Sequence, residues 1–340
     1  MKKSLIALAV LAASGAAMAQ STVTLYGIAD VFLASNKTDT GAVNGALTQS
    51  MLISGGVNTS RWGLKGSEDL GGGLKANFDF QQGFNIDTGA ASVATAAFNR
   101  QSWVGFSGGF GAVRLGNTTT PFDDVSGASD AVFDSKLAPM NYVFKSTGYN
   151  ARPGNTIYYQ APNMSGFSGA FSYSLGEDKT LTTGATSTTS LNLTYGAGPL
   201  AVQFGYQVQD IVNATVASSD AKFTRLGASY NFGAATAKLT YGKTDNVGSV
   251  TGSNATDYQL GVDVPVSAAL TLSASYAKST DSKTAPAFNQ TRTGFGLGGA
   301  YTLSKRTYVY GGYESDTATN AAPAADAKHS VFAIGLNHKF

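Results

Sequence analysis

The chain has no cysteine. That excludes disulfides, thiolate metal sites and a cysteine nucleophile, and it leaves hydrogen bonding and burial to hold the fold. Charged residues are scarce, at 13% of the chain, about half the usual share of roughly 25%. Beyond the first twenty residues, no segment approaches the ~18 uninterrupted apolar residues of a membrane-spanning helix. Histidine is nearly absent too. His329 and His338 are the only two, and neither has a metal-ligating or catalytic neighbour at a useful spacing. No metal, cofactor or nucleophile–histidine–acid set is therefore expected, and both histidines read as rim residues.

The N-terminus carries a different signal. Met1–Lys3 is basic, Ser4 to Met18 is mostly small and apolar, and Ala17-Met-Ala19 fits a small-x-small cleavage site. Residues 1–19 read as a secretory signal peptide, with the mature chain starting at Gln20. Cleavage removes Lys2 and Lys3 from 23 basic residues, leaving 21 against 21 acids. A balance of zero gives no support to a nucleic-acid partner.

Glycine (41 residues) and aromatics (19 Phe, 16 Tyr, 2 Trp) are abundant. Apolar and polar residues alternate with period two. Val202, Phe204, Tyr206 and Val208 interleave with Gln203, Gly205, Gln207 and Gln209. Tyr258, Leu260 and Val262 interleave with Gln259, Gly261 and Asp263. Such runs are strands with one apolar and one polar face. Glycine recurs on the polar face (Gly205, Gly261, Gly294, Gly296, Gly298), which would leave room inside a channel.

Short, turn-like connections such as Asp69–Gly73 and Gly196–Pro199 alternate with long ones rich in Ser, Thr, Asn and Gly. The long ones fall near 35–58, 84–97, 117–153, 176–188, 210–220, 244–256, 279–291 and 315–328. Seven short and eight long connections join sixteen strands, so both termini lie on the short-turn side. The reading is all-β: a sixteen-stranded antiparallel transmembrane β-barrel, which pairs every backbone group as lipid demands. A soluble all-β chain would carry Lys and Glu on the wet faces of its strands. In the last strand, Phe332, Ile334, Leu336, His338 and Phe340 share one face.

Four stretches carry a family resemblance: Val23–Asp30 (VTLYGIAD), Ser60–Lys75 (SRWGLKGSEDLGGGLK), Phe98–Phe106 (FNRQSWVGF) and Gly335–Phe340 (GLNHKF). The chain resembles Gram-negative general porins of the β-proteobacterial type over its whole mature length. The resemblance implies short periplasmic turns, long extracellular loops and a third loop folded inward. It also implies a homotrimer in outer-membrane lipid and lipopolysaccharide, and passive diffusion of small hydrophilic solutes and ions. Phe340 resembles the signal read by the outer-membrane barrel assembly machinery. The constriction loop departs from the enterobacterial Pro-Glu-Phe-Gly-Gly-Asp pattern, reading Pro121–Asp130 (PFDDVSGASD), so the placement of its acids relative to the pore axis stays open. A substrate-specific outer-membrane channel and a barrel enzyme or adhesin remain as alternatives.

Residues about 117–153 form the longest connection, and aromatics in it argue against disorder. Trp62 and Leu64 facing lipid would point Arg61 and Lys65 inward. Trp103 facing lipid would point Arg100 and Ser102 inward, and Val113 and Leu115 facing lipid would do the same for Arg114. The expectation is a basic wall of Arg61, Lys65, Arg100 and Arg114 opposed by Asp123, Asp124, Asp130 and Asp134 of the loop, with Tyr26 and Asp30 as further lumenal residues. Opposed charges across a narrow water-filled gap create a transverse field.

Overall fold

The computed structural model describes residues 22–42, 45–210, 219–282, 290–319 and 325–340. The leader expected at 1–19 lies outside them. Among the described residues, seventeen strands form one antiparallel sheet. They are β1 (Thr22–Asp39), β2 (Ala46–Ser54), β3 (Arg61–Gly71), β4 (Leu74–Gly83), β5 (Gln101–Gly108), β6 (Gly111–Asn117), β7 (Thr156–Gln160), β8 (Phe167–Leu175) and β9 (Ser187–Ala197). The remainder are β10 (Leu200–Asp210), β11 (Ala221–Asn231), β12 (Thr236–Asp245), β13 (Asn254–Pro265), β14 (Leu270–Ser282), β15 (Thr291–Thr302), β16 (Thr307–Thr319) and β17 (Ala327–Lys339). Strands β2 and β3 lie end to end along β1, which pairs with β2 through Val31–Asp39 and with β3 through Thr22–Ile28. They form one stave broken at residues 55–60, so the barrel has the sixteen staves that the alternation predicts.

Closure is made by β17 on β1, from Ile28↔Lys339 to Asp39↔Lys328. Phe340 extends that seam, donating its N–H to the Gly27 carbonyl at 3.0 Å and accepting from the Gly27 N–H at 2.9 Å. Its ring lies over Gly27, where any Cβ would overlap it. A closed ladder leaves no unpaired edge in hydrocarbon.

The two faces are sorted as the period of two dictates. Val23, Leu25, Leu193, Leu260, Phe332 and Ile334 are exposed on the outside. Gln207, Gln259, Ser273 and Asn337 are buried on the inside. This inverts the soluble arrangement and suits lipid outside with polar groups within.

Two expectations need correction. The sequence pattern puts the first long connection at 35–58, but β1 continues to Asp39 and β2 begins at Ala46. Polar Ser, Thr and Asn can stay in a ladder that projects into water, so composition hid the strands. Trp103 faces the lumen, not lipid. It is paired with Gly116 and Asp79, and the Arg114 guanidinium sits 5.1 Å over its ring. Val104 and Phe106 are the exposed outer residues of β5. Ser102, sharing their parity, is also on the outer face.

Between β6 and β7 the chain crosses the barrel interior. It contains α1 (Pro121–Ser126), a three-residue helical turn at Val132–Asp134 and α2 (Met140–Val143). Thr120 caps α1, its hydroxyl accepting from the Asp123 N–H at 3.3 Å, and Pro121 occupies the first turn. The inward glycines turn out to be the seat of this loop and not free space. A Cβ on Gly205 would press on Phe122 and Val125, one on Gly261 on Ala131, one on Gly296 on the Leu137 carbonyl, and one on Gly298 on Val132.

That seat is testable. Gly261→Val and Gly296→Val each force the loop off the wall, at an overpacking cost of about 1–3 kcal/mol. Single-channel conductance in a planar bilayer should rise or become noisy relative to wild type. Unchanged, quiet openings from correctly assembled variants would show that the loop does not rest there.

Candidate functional site

The loop is held along its length by polar wall residues. The Phe122 N–H donates to Ser190 Oγ (3.0 Å), and Asn192 Nδ2 donates to the Pro121 carbonyl (2.7 Å). Ser129 Oγ and Thr240 Oγ1 share a hydrogen bond of 2.8 Å, and Lys238 Nζ donates to the Asp130 carbonyl at 2.7 Å. The Val132 N–H reaches Ser273 Oγ at 2.7 Å, and the Lys145 and Ser146 N–H groups reach the Asp257 carboxylate at 3.3 and 2.8 Å. Buried Arg225 joins the two limbs, donating to the Ser126 carbonyl at 2.6 Å and to Ser146 Oγ at 2.8 Å. Its guanidinium also lies over the Phe122 and Phe144 rings, at 5.6 and 5.5 Å. Apolar contact adds to this. Ala131, Val132, Leu137 and Ala138 pack on lumenal Phe32, Ala34, Tyr310, Val331 and Ala333. Backbone at Val132, Phe133 and Asp134 is left-handed (φ 59°, 67° and 48°). Non-glycine residues there cost of order 1–3 kcal/mol each, so this turn persists because the wall contacts impose it.

With the loop on β9–β17, the open lumen lies between its outer limb and the wall of β1, β3–β6 and β7. All four expected basic residues face it. Arg61 is half-buried at the start of β3, and Lys65 Nζ sits 5.0 Å over the Tyr26 ring. Arg100 Nε donates to Gln81 Oε1 at 3.0 Å. Arg114 lies between Trp103 and Tyr158, at 5.1 and 4.8 Å from their rings. Arg100 reaches the lumen from just ahead of β5, outside that strand's alternation. Tyr26 is lumenal as expected, donating to Asp79 Oδ1 at 2.5 Å and accepting from Gln81 Nε2 at 2.9 Å.

The acids divide. Asp123 faces the basic wall, accepting from Tyr149 Oη at 2.7 Å with Arg152 Nη2 at 3.7 Å. Burial pushes its carboxyl up, against the pull of Arg152. Asp124 is exposed and accepts from Thr119 Oγ1 and Tyr158 Oη, each at 2.7 Å. Asp134 is exposed at the left-handed turn, near Gly127. Asp130 does not oppose the basic wall. It is only 2% exposed, and Lys238 of β12 holds its carbonyl. Neither of its carboxylate oxygens has a hydrogen-bond partner among the described residues, and burial, with Asp134 close by, pushes the carboxyl well above the usual range.

Asp30 is also not pore-lining. It is fully buried and accepts from the N–H groups of Gly56, Val57 and Asn58, from Tyr310 Oη (2.6 Å) and from Asn337 Nδ2 (2.7 Å). It therefore ties the 55–60 break to both sides of the β1–β17 seam. Parity placed it inward but could not separate a seam residue from a lining one. The residue missed altogether is Arg152, at the returning end of a loop read as acidic. Its Nε donates to the Arg100 carbonyl at 2.9 Å, and its charge acts on both Arg61 and Arg100. Its sequence signal, a cation two residues before the β7 approach Gly154–Asn155, is weak.

A closed barrel with an apolar exterior, a polar interior and a loop across its bore defines a transmembrane channel. The Gram-negative porin family matches residues 5–321, and the chain belongs to that family. It is 38% identical to outer membrane porin protein 32 of Delftia acidovorans, over 92% of this chain and 88% of that one. It is 31% identical to an outer membrane porin protein of Bordetella pertussis over the full length of both. Among solved structures, the anion-selective porin from Comamonas acidovorans superposes with a TM-score of 0.79 at 28% identity, covering 94% of this chain and all of that one. The chain is a Gram-negative outer-membrane porin, a channel for passive diffusion of small hydrophilic solutes.

Asp130 yields a pH prediction. Its folded-state carboxyl binds a proton more tightly than in the unfolded chain, so its burden on stability is absent at low pH and grows as pH rises above the unfolded value of ~4. Asp130→Asn should match wild type in heat-denaturation midpoint at pH 4 and exceed it at pH 8. A variant less stable than wild type at pH 8 would mean that the ionised carboxylate is satisfied in place.

Proposed function

We propose that the chain acts as a homotrimeric general porin, with residues 118–155 as its constriction and a preference for small anions. The reading rests chiefly on one observation: the guanidinium groups of Arg61, Arg100 and Arg152 crowd together and Asp123 is the carboxylate that answers them. Lys65 and Arg114 continue that positive surface along the same wall, balanced in part by Asp79, which interacts with both. Asp130 is withdrawn from the bore. Charge of one sign at a narrow point raises the local concentration of counter-ions. The likeness to an anion-selective porin supports the same preference. No chemical step is assigned to the chain, whose lumenal groups attract and orient solutes without reacting. Residues 1–19 are proposed as the export leader, with Phe340 as the signal to the barrel assembly machinery and outer-membrane lipid and lipopolysaccharide as the surroundings.

A reversal potential in a KCl gradient tests the preference. One unit charge ~5 Å from a permeating ion is worth about 0.8 kcal/mol in water, and roughly half that after physiological screening. Losing the charge disfavours chloride and favours potassium by that amount each, so Arg61→Gln, Arg100→Gln and Arg152→Gln should each lower the chloride-to-potassium permeability ratio by roughly four- to sixteenfold. A wild type that favours potassium, or three variants with the wild-type potential, would overturn the reading. Shortening the loop across Asp123–Asp134 should enlarge the bore, seen as higher conductance and faster entry of larger sugars in liposome swelling. Wild-type size exclusion from the shortened trimer would place the constriction elsewhere.

A further inference from the structure

On the lumenal face near the loop side of the barrel, the β16–β17 hairpin sets Glu314, Asp316 and His329 together. This corrects the expectation that His329 has no ligating neighbour. The spacing that conceals the cluster is that of a hairpin, where Asp316 and His329 face each other directly and Glu314 lies one pleat along the same face. His329 Nδ1 lies 2.9 Å from Asp316 Oδ2 and 3.3 Å from Glu314 Oε2, and one ligand atom from each of the three falls within 4.8 Å of the others.

Two further observations point to a bound cation. Glu314 is fully buried, and among the described residues its carboxylate has no well-aligned hydrogen bond, only the 3.3 Å approach of His329 Nδ1 to Oε2. A buried carboxylate this weakly partnered is costly. Its neighbours across the ladders are Gly296 and Val331, which offer no side-chain donor. Among the described residues, the ion pairs of Glu314 and Asp316 are with His329 alone. Two carboxylates thus share a single imidazole nitrogen, and the local charge is under-balanced. The second observation is that the imidazole is held in place. Tyr142 of α2 stacks on the His329 ring with centroids 4.7 Å apart.

We propose that Glu314, Asp316 and His329 form a divalent transition-metal site of the zinc class inside the channel, roofed by Tyr142 of the constriction loop. Zinc bonds of about 2.0–2.2 Å place neighbouring ligand atoms of a tetrahedron about 3.3–3.6 Å apart, close to the spacings found. One imidazole among carboxylates favours zinc, cobalt or nickel over calcium and magnesium, which prefer oxygen alone. Three protein ligands leave one position for a water molecule.

The test uses refolded full-length protein in detergent, stripped of metal and titrated with Co²⁺ alone and then Zn²⁺ alone. Wild type should bind one Co²⁺ per chain with a visible spectrum of low-coordinate cobalt, and Zn²⁺ should displace it. His329→Ala and the double variant Glu314→Gln/Asp316→Asn should each bind at least tenfold more weakly. His338→Ala, at the opposite rim, should bind as wild type does. His329→Asn serves if His329→Ala fails to give heat-modifiable protein. Absence of saturable binding in wild type, or undiminished binding in the site variants, would overturn the proposal.

Discussion

Closing a sheet removes its edges and makes a hole, and the rest of this molecule follows from that. A backbone in hydrocarbon must pair all its donors and acceptors within the protein, so the sheet must close on itself. Sixteen staves close into a bore wider than wall side chains can fill. The chain therefore supplies a second layer from its own longest connection. The wall in turn is shaped to receive it, with glycines where the loop lies close and with hydroxyls and amides where its backbone needs partners. Ser190, Asn192, Thr240 and Ser273 each meet a loop polar group. These bonds are individually worth about 1 kcal/mol, but they leave few of the loop's polar groups without a partner.

The loop divides the interior into two environments. Behind it, toward β9–β17, the wall carries Arg225, Asp130, Glu314 and an apolar patch around Phe32 and Tyr310, all withdrawn from water. Before it, toward β3–β7, stand Arg61, Lys65, Arg100 and Arg114. The same residue type serves different ends on the two sides. Arg225 spends its donors on the loop carbonyl of Ser126 and the hydroxyl of Ser146. Arg114 instead packs its guanidinium on two aromatic faces, contacts that leave its hydrogen-bonding edge for water and solutes.

Most of the barrel was legible in the sequence because period two is a physical requirement of a strand between lipid and water. Strand number, sidedness and the inward aim of Arg61, Lys65 and Arg114 all follow from it. What parity cannot give is depth within the lumen. Asp30 and Asp130 point inward by sequence, yet one ties the barrel seam and the other lies beneath the loop, because neighbouring strands and the loop decide access. Trp103 misled for a related reason. A large aromatic suits a lipid-facing position as Val104 and Phe106 do, but the Arg114 guanidinium makes a lumenal tryptophan favourable. The cluster of Glu314, Asp316 and His329 was illegible because its members meet only through hairpin register.

Arg152 shows how the constriction and the fold depend on each other. It reaches the basic wall because residues 149–152 are tied back on both sides. The Gln207 amide donates to the Asn150 carbonyl at 2.9 Å, and the Thr120 N–H donates to the Ala151 carbonyl at 3.0 Å. Tyr149, packed on Phe122 with centroids 4.7 Å apart, passes a hydrogen bond to Asp123. The entering and returning limbs therefore support one another, and the carboxylate and guanidinium they carry are fixed as a pair. An exposed ion pair would contribute little to stability. Here its service is positional, since the pair holds Arg152 beside Arg100 and Arg61 despite their mutual repulsion. The place of Arg152 beside Arg100 and Arg61 is thus a property of loop docking as much as of the wall residues.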